Sequence, residues 1–138
     1  MTARTRLRRD RLSRWAFPLW AGAWFTAAHW PRLAGPQTGI PHVDKIVHFG
    51  AFTVWTVLLG WTGWCGARPA GLRRLVVVAV LYAVFDELTQ SPPVLGRNAD
   101  VSDVIADLAG VTTGVIVLIV MGHHSRGTRP RANFSGFL

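Results

Sequence analysis

With 138 residues the chain has room for one domain. Half of its residues are hydrophobic and only 16% are charged, which excludes a disordered chain and lies below the charge of an ordinary soluble domain. The net charge of +8 would suit a nucleic-acid binder, but the basic residues gather at the two ends and in one central stretch, with long uncharged runs between them, so the partner is read as a lipid bilayer and not nucleic acid.

In chain order, the first uncharged run extends from Trp15 to Trp30. It is slightly short for a bilayer core, so Trp15, Trp20, Trp24 and Trp30 are expected at headgroup level. A cleaved signal peptide is the competing reading; the crowding of tryptophan and the lack of a small-x-small cleavage site weigh against it. The second run, Ile46 to Trp64, contains one ionisable group, His48. The third, Leu75 to Leu88, becomes long enough if it starts at Leu72 with Arg73 and Arg74 snorkelling, and it closes on the acidic pair Asp86-Glu87. The fourth, Val104 to Met121, is apolar apart from Asp107 and scattered Thr and Gly. None shows the polar stripe of a soluble amphipathic helix over most of its length. The lone cysteine, Cys65, excludes an internal disulfide framework or a multi-cysteine zinc module.

The expected fold is therefore all-α, an integral membrane bundle of four transmembrane helices. Twelve arginines lie in the N-terminal segment from Arg4 to Arg14, in the stretch Arg68 to Arg74, and in the tail from Arg126 to Arg131, whereas the remaining connections hold only Arg32, Lys45 and Arg97. Positive charge marks the inner side, so both termini are expected in the cytoplasm. Residues 1–14 read as a basic cytoplasmic segment, 15–121 as the four-helix domain, and 122–138 as a flexible cytoplasmic tail, whose His123-His124 pair is discounted as a metal site.

This topology sends every acid except Asp10 to the outer side: Asp44, Asp86, Glu87, Asp100, Asp103 and Asp107, with Lys45, His48 and Arg97. Asp44 and His48 are four apart, as are Asp86 and Gln90, with Tyr82 one turn before, and Asp103 and Asp107, so each pair shares a helix face. Asp44 and Asp100 also fit helix N-caps, and Asp103 a favourable first turn. Gly110 and Gly114 read as a close-packing face. Asp86 and Glu87 resist such readings. They fall at a helix C-terminus, where the dipole disfavours negative charge, among apolar residues where an acid needs a partner or a water-filled cavity. Lys45, Arg97 or a bound cation is expected to compensate them.

Three ordered motifs carry a resemblance: Asp44-Lys45-x-x-His48-Phe49-x-x-Phe52, Tyr82-x-x-x-Asp86-Glu87-x-x-Gln90, and Gly96-Arg97-x-x-Asp100-x-x-Asp103-x-x-Ala106-Asp107-x-x-Gly110. Together they resemble the VanZ-like family of small bacterial membrane proteins over roughly Asp44 to Gly114. Two features depart from the family pattern. Ser91 to Gly96 replaces a shorter segment with Phe and Pro-Gly, and Asp107 stands where the family usually has Asn. The resemblance implies a multi-pass cell-envelope protein and a link to glycopeptide (teicoplanin) resistance.

Two functions compete. In the first, the outer cluster of Asp44, Lys45, His48, Tyr82, Asp86, Glu87, Gln90, Arg97, Asp103 and Asp107 binds a lipid headgroup, a lipid-linked wall precursor or a partner. In the second, the chain is a membrane-embedded enzyme acting on such a lipid, with His48 as base, Asp86 or Glu87 orienting it or holding a divalent cation, and Arg97 with Lys45 holding phosphate. An oxygen-rich set with one imidazole would suit Mg²⁺, Mn²⁺ or Zn²⁺. No Ser or Cys lies beside the base, which disfavours covalent catalysis. A transporter ranks last, because the inner halves of the spans supply only Thr and Gly as polar residues.

Overall fold

The computed structural model describes the backbone of residues 3–30, 42–65, 69–90 and 100–127, and the side chains of 12–30, 42–65, 70–90 and 100–122. The described residues form four helices, α1 (Ala3–Ala28), α2 (Val43–Trp61), α3 (Pro69–Gln90) and α4 (Val101–Gly127). Two of them, α2 and the Val101–Gly122 part of α4, are long and apolar enough to cross a membrane. In α3 any window of 18 residues takes in Arg73, Arg74 and Asp86. In α1 the uncharged run starts only after Arg14 and is diluted by tryptophan, Gly22 and Pro18.

Local chemistry sets the boundaries. α2 starts with His42 in the left-handed region (φ 62°), whose carbonyl accepts from the Lys45 and Ile46 N–H groups. The expected N-cap at Asp44 is thus displaced: Asp44 lies in the first turn, where the helix dipole still favours a carboxylate. α2 ends earlier than its apolar run, because Thr62 folds its hydroxyl back onto the Leu59 carbonyl (2.7 Å) and Gly63 takes φ 84°, which ends a helix at little steric cost only in glycine. At α4 the expected cap is present: the Asp100 carboxylate accepts from the Ser102 N–H at 2.8 Å. α1 is continuous through the arginine-rich stretch, and α4 runs past Met121 to Gly127.

α2 and α4 share the most extensive contact although they are not consecutive. They run parallel: Lys45 meets Asp103, His48 meets Asp107, Thr53 meets Gly110 and Gly60 meets Leu118 in ascending order. Glycine permits this approach. A Cβ on Gly110 would strike the Phe49 carbonyl oxygen and lie 3.1 Å from the Phe52 Cβ and the Thr53 nitrogen, and one on Gly114 would lie 2.7 Å from the Thr56 Cβ. The Thr53 hydroxyl donates to the Gly110 carbonyl across the seam (3.2 Å). This is the close-packing face that the small-x-x-x-small spacing predicts.

α1 packs antiparallel on α2, with Ser13 donating to the Trp61 carbonyl (2.7 Å) and Trp20 Nε1 to the Ala51 carbonyl (3.2 Å). α3 runs antiparallel to both α2 and α4 and closes the core, where Leu75, Ala79 and Ala83 pack with Phe52, Trp55, Leu59 and Val111. Large apolar side chains are exposed on the outward faces of all four helices. On α3, Leu81, Phe85 and Leu88 are exposed at helical spacing; Leu19 on α1, Ile46 on α2 and Ile105 and Ile116 on α4 do the same. Polarity is inverted relative to a water-soluble bundle, since His48, Asp86, Glu87, Gln90, Asp103 and Asp107 are all buried.

Candidate functional site

Parallel α2 and α4, with α3 antiparallel, put the start of α2, the end of α3 and the start of α4 at one end of the bundle. Two polar layers form there.

The first layer centres on Lys45. Its ammonium donates to Asp103 Oδ1 at 2.9 Å and to Asp44 Oδ2 and Asp100 Oδ2 at 3.2 Å each. It therefore ties the first turn of α2 to the first turn of α4. Glu87 extends this layer to α3, because its Oε1 accepts the Asp100 N–H at 2.6 Å. Hydrogen bonds from Ser102, through side chain and backbone, and then from Lys45 hold the Asp100 carboxyl down at about 2. The expected pairing of Lys45 with Asp86 is not present: three nearer carboxylates take up the ammonium's three protons. The same geometry removes Lys45 as the free phosphate-holding cation that the enzyme reading needs. Arg97, the other cation of that expectation, lies outside the described residues, as do Arg32 and most of the 91–102 connection.

The second layer is deeper. His48 Nδ1 and Asp107 Oδ1 are 3.0 Å apart with almost no exposure on either side chain. A carboxylate acceptor sets the tautomer, so in the neutral ring Nδ1 carries the proton and Nε2 the lone pair. Asp107, and not Asp86 or Glu87, is thus the group that orients the imidazole. Asp86 Oδ2 instead accepts from Trp24 Nε1 at 3.0 Å and from Gln90 Nε2 at 3.3 Å. The Trp24 indole also meets the His48 ring edge-on at 5.1 Å, linking the two halves of the layer. His48 and Tyr82 each lie within electrostatic reach of both Asp86 and Asp107. Tyr82 stacks on Trp55 (4.9 Å) and tilts against Phe52 (5.9 Å), forming the aromatic floor of the layer. Two buried carboxylate oxygens, Asp86 Oδ1 and Asp107 Oδ2, have no hydrogen-bond partner among the described residues. No group of three or more His, Cys, Asp or Glu is arranged to hold a metal ion among those residues.

Sequence reasoning missed Trp24. The sequence suggests an interfacial anchor there, as at Trp20, yet both indoles turn inward and donate across the bundle; Trp15 and Trp30 are the exposed ones. The signal was available in the spacing of Phe17, Trp20 and Trp24, which puts all three on one helix face. His29 was also missed. Its Nε2 meets the Thr89 hydroxyl at 2.8 Å, joining the end of α1 to the end of α3. Cys65 is buried at the opposite end of the bundle, and burial pushes its thiol pKa up, so it is a poor nucleophile.

An all-α bundle with two helices able to cross a membrane and with carboxylates, imidazole and indole collected inside one end is, as a class, a membrane-associated helical protein built around a polar site. The VanZ/LLP1 family model matches residues 6–122, from the first turns of α1 into the last turns of α4, and the chain belongs to that family. Comparison with curated proteins and with solved structures gives no match.

Proposed function

We propose that the chain is a four-span cell-envelope protein with both termini in the cytoplasm, and that the polar end of its bundle faces outward and binds a lipid headgroup or a lipid-linked wall precursor. The observation that carries this reading is the inverted polarity: acids at zero exposure inside, and large apolar side chains outside on α1 and α3 as well as on the two more apolar helices. Aliphatic faces of this extent are costly in water and favourable in lipid. The twelve-to-three division of basic residues supports the orientation. The layers lie within two turns of the helix ends, which is headgroup depth. A role in the response to glycopeptide antibiotics follows from the family and is part of the proposal.

The reading is tested by native mass spectrometry of protein released from native-lipid discs. A lipid retained by the wild type in excess of its share of the bulk membrane, and lost in His48→Phe, is the expected result. Retained lipid that mirrors the bulk in both proteins would refute it.

One observation favours a second reading, a membrane-embedded hydrolase or transferase acting on a lipid-linked substrate. The His48–Asp107 pair has the geometry of an oriented general base, with Nδ1 held by the carboxylate and the basic lone pair left on Nε2. In that role His48 takes a proton from water or a substrate hydroxyl, and Asp107 stabilises the resulting imidazolium. Turnover of a lipid-linked phosphate or ester that vanishes in His48→Gln, with lipid retention preserved, would select this reading.

A further inference from the structure

Charge pairing among the described residues of the polar end leaves a specific surplus. Lys45 is shared by Asp44, Asp100 and Asp103, and the imidazole of His48 serves Asp107 through one oxygen only. Among the described residues Asp86 has neutral donors alone, the Trp24 indole and the Gln90 amide, and both of these go to Oδ2. Asp86 Oδ1 and Asp107 Oδ2 are therefore buried carboxylate oxygens without donors among the described residues, on side chains that are fully buried. A buried, hydrogen-bond-hungry carboxylate is among the least stable groups a fold can hold, so these two atoms define what the described part of the site lacks: positive charge that carries N–H donors.

Resting on the headgroup reading above, we infer that the deep layer selects a primary ammonium group, which donates to Asp86 Oδ1 and Asp107 Oδ2 beside the rings of Trp24, His48 and Tyr82. Three features argue for this chemistry over others. An anionic headgroup would meet Asp86, Glu87, Asp103 and Asp107, and the nearby ammonium of Lys45 is already engaged by three carboxylates. A divalent metal needs several ligating side chains around one point, and among the described residues no three converge. A quaternary ammonium has the charge but no N–H, so it would leave both oxygens unsatisfied. A primary ammonium supplies charge, three donors and a fit to aromatic walls. All four helices contribute: Trp24 from α1, His48 from α2, Asp86 and Tyr82 from α3, and Asp107 from α4. Occupancy therefore also couples the packing of the helices to the ligand.

The Trp24 indole N–H, donated to Asp86, is a built-in reporter. The full chain, ¹⁵N-labelled at tryptophan, is placed in phosphatidylcholine discs, and the indole signal of Trp24 is assigned by its loss in Trp24→Phe. Phosphatidylethanolamine, phosphatidylglycerol and methylammonium chloride are then added in separate titrations. A saturable shift of the Trp24 signal with phosphatidylethanolamine, absent with phosphatidylglycerol and weakened at least about tenfold in Asp86→Asn and in Asp107→Asn, is expected from the loss of one charged hydrogen bond. A shift with methylammonium as well identifies the free ammonium as sufficient; a shift with the lipid alone assigns the ligand to the headgroup. Where a variant does not fold, the wild-type preference for phosphatidylethanolamine over phosphatidylcholine and phosphatidylglycerol decides. A response to phosphatidylglycerol alone would overturn the ammonium selectivity and leave the headgroup reading standing. No response to either amine, or a response that survives both substitutions, would overturn the inference even where native mass spectrometry finds a retained lipid.

Discussion

Asp107 separates a charge requirement from a hydrogen-bond requirement, and two substitutions make the distinction measurable. Its Oδ1 is 3.0 Å from His48 Nδ1 with both side chains buried, while Oδ2 has no partner among the described residues. Asp107→Leu removes the acceptor and leaves the imidazole N–H buried against aliphatic carbon. Breaking a buried pair by deleting one member costs about 3–5 kcal/mol, which lowers the folding equilibrium roughly two to four orders of magnitude. Asp107→Asn keeps an acceptor for Nδ1–H and removes the negative charge from the second oxygen. Its expected cost is within about 1 kcal/mol of zero, the net worth of a neutral hydrogen bond. The assay is unfolding in mixed micelles by titration with dodecyl sulfate, followed by circular dichroism. Adding His48→Phe to Asp107→Leu should recover part of the loss, because no polar group is then stranded. Equal midpoints for the Leu and Asn variants, or strictly additive effects of His48→Phe and Asp107→Leu, would refute the pair as a structural unit.

Other outcomes follow from the same geometry. Gly110→Ala should destabilise by about 1–3 kcal/mol, since its Cβ meets the backbone of Phe49, which cannot rotate away, whereas Gly122→Ala has open space and should be neutral or better in the same unfolding assay. Lys45→Gln should lose stability that Asp103→Asn partly restores and Asp86→Asn does not, because the ammonium is 2.9 Å from Asp103 and does not pair with Asp86. Asp100 is held at about 2, below its ordinary 3.8, so its charged form favours the folded state. Its contribution is complete above about pH 4 and fades as the pH falls from there towards 2, and stability curves of wild type and Asp100→Asn should therefore converge across that window.

The helices were legible in the sequence because uncharged runs of this length have few other folded forms. So was the location of the polar cluster, since i,i+4 spacing fixes which of Asp44, His48, Asp86, Gln90, Asp103 and Asp107 share a face. Partner choice within the cluster was not legible. Spacing along a helix says nothing about the relative depth of neighbouring helices, and the close α2–α4 seam at Gly110 and Gly114 is what slides Asp103 against Lys45 and Asp107 against His48. The inward turn of Trp20 and Trp24 is harder to read: amphipathic indoles suit both an interface and a buried donor role, their shared face with Phe17 is the one sequence signal for the second, and the carboxylate of Asp86 and the carbonyl of Ala51 supply the acceptors that complete it.

The account depends most on the polar end of the bundle facing the outside of the cell, and one labelling measurement addresses that directly. In a Cys65→Ser background, single cysteines are placed at Asp100, which is exposed beside the cluster, and at Arg73, exposed towards the opposite end of α3. Intact cells are then treated with a membrane-impermeant maleimide. The account predicts that Asp100→Cys is labelled in intact cells and Arg73→Cys only after permeabilisation; labelling of Arg73→Cys in intact cells, with Asp100→Cys protected until the membrane is opened, would contradict it.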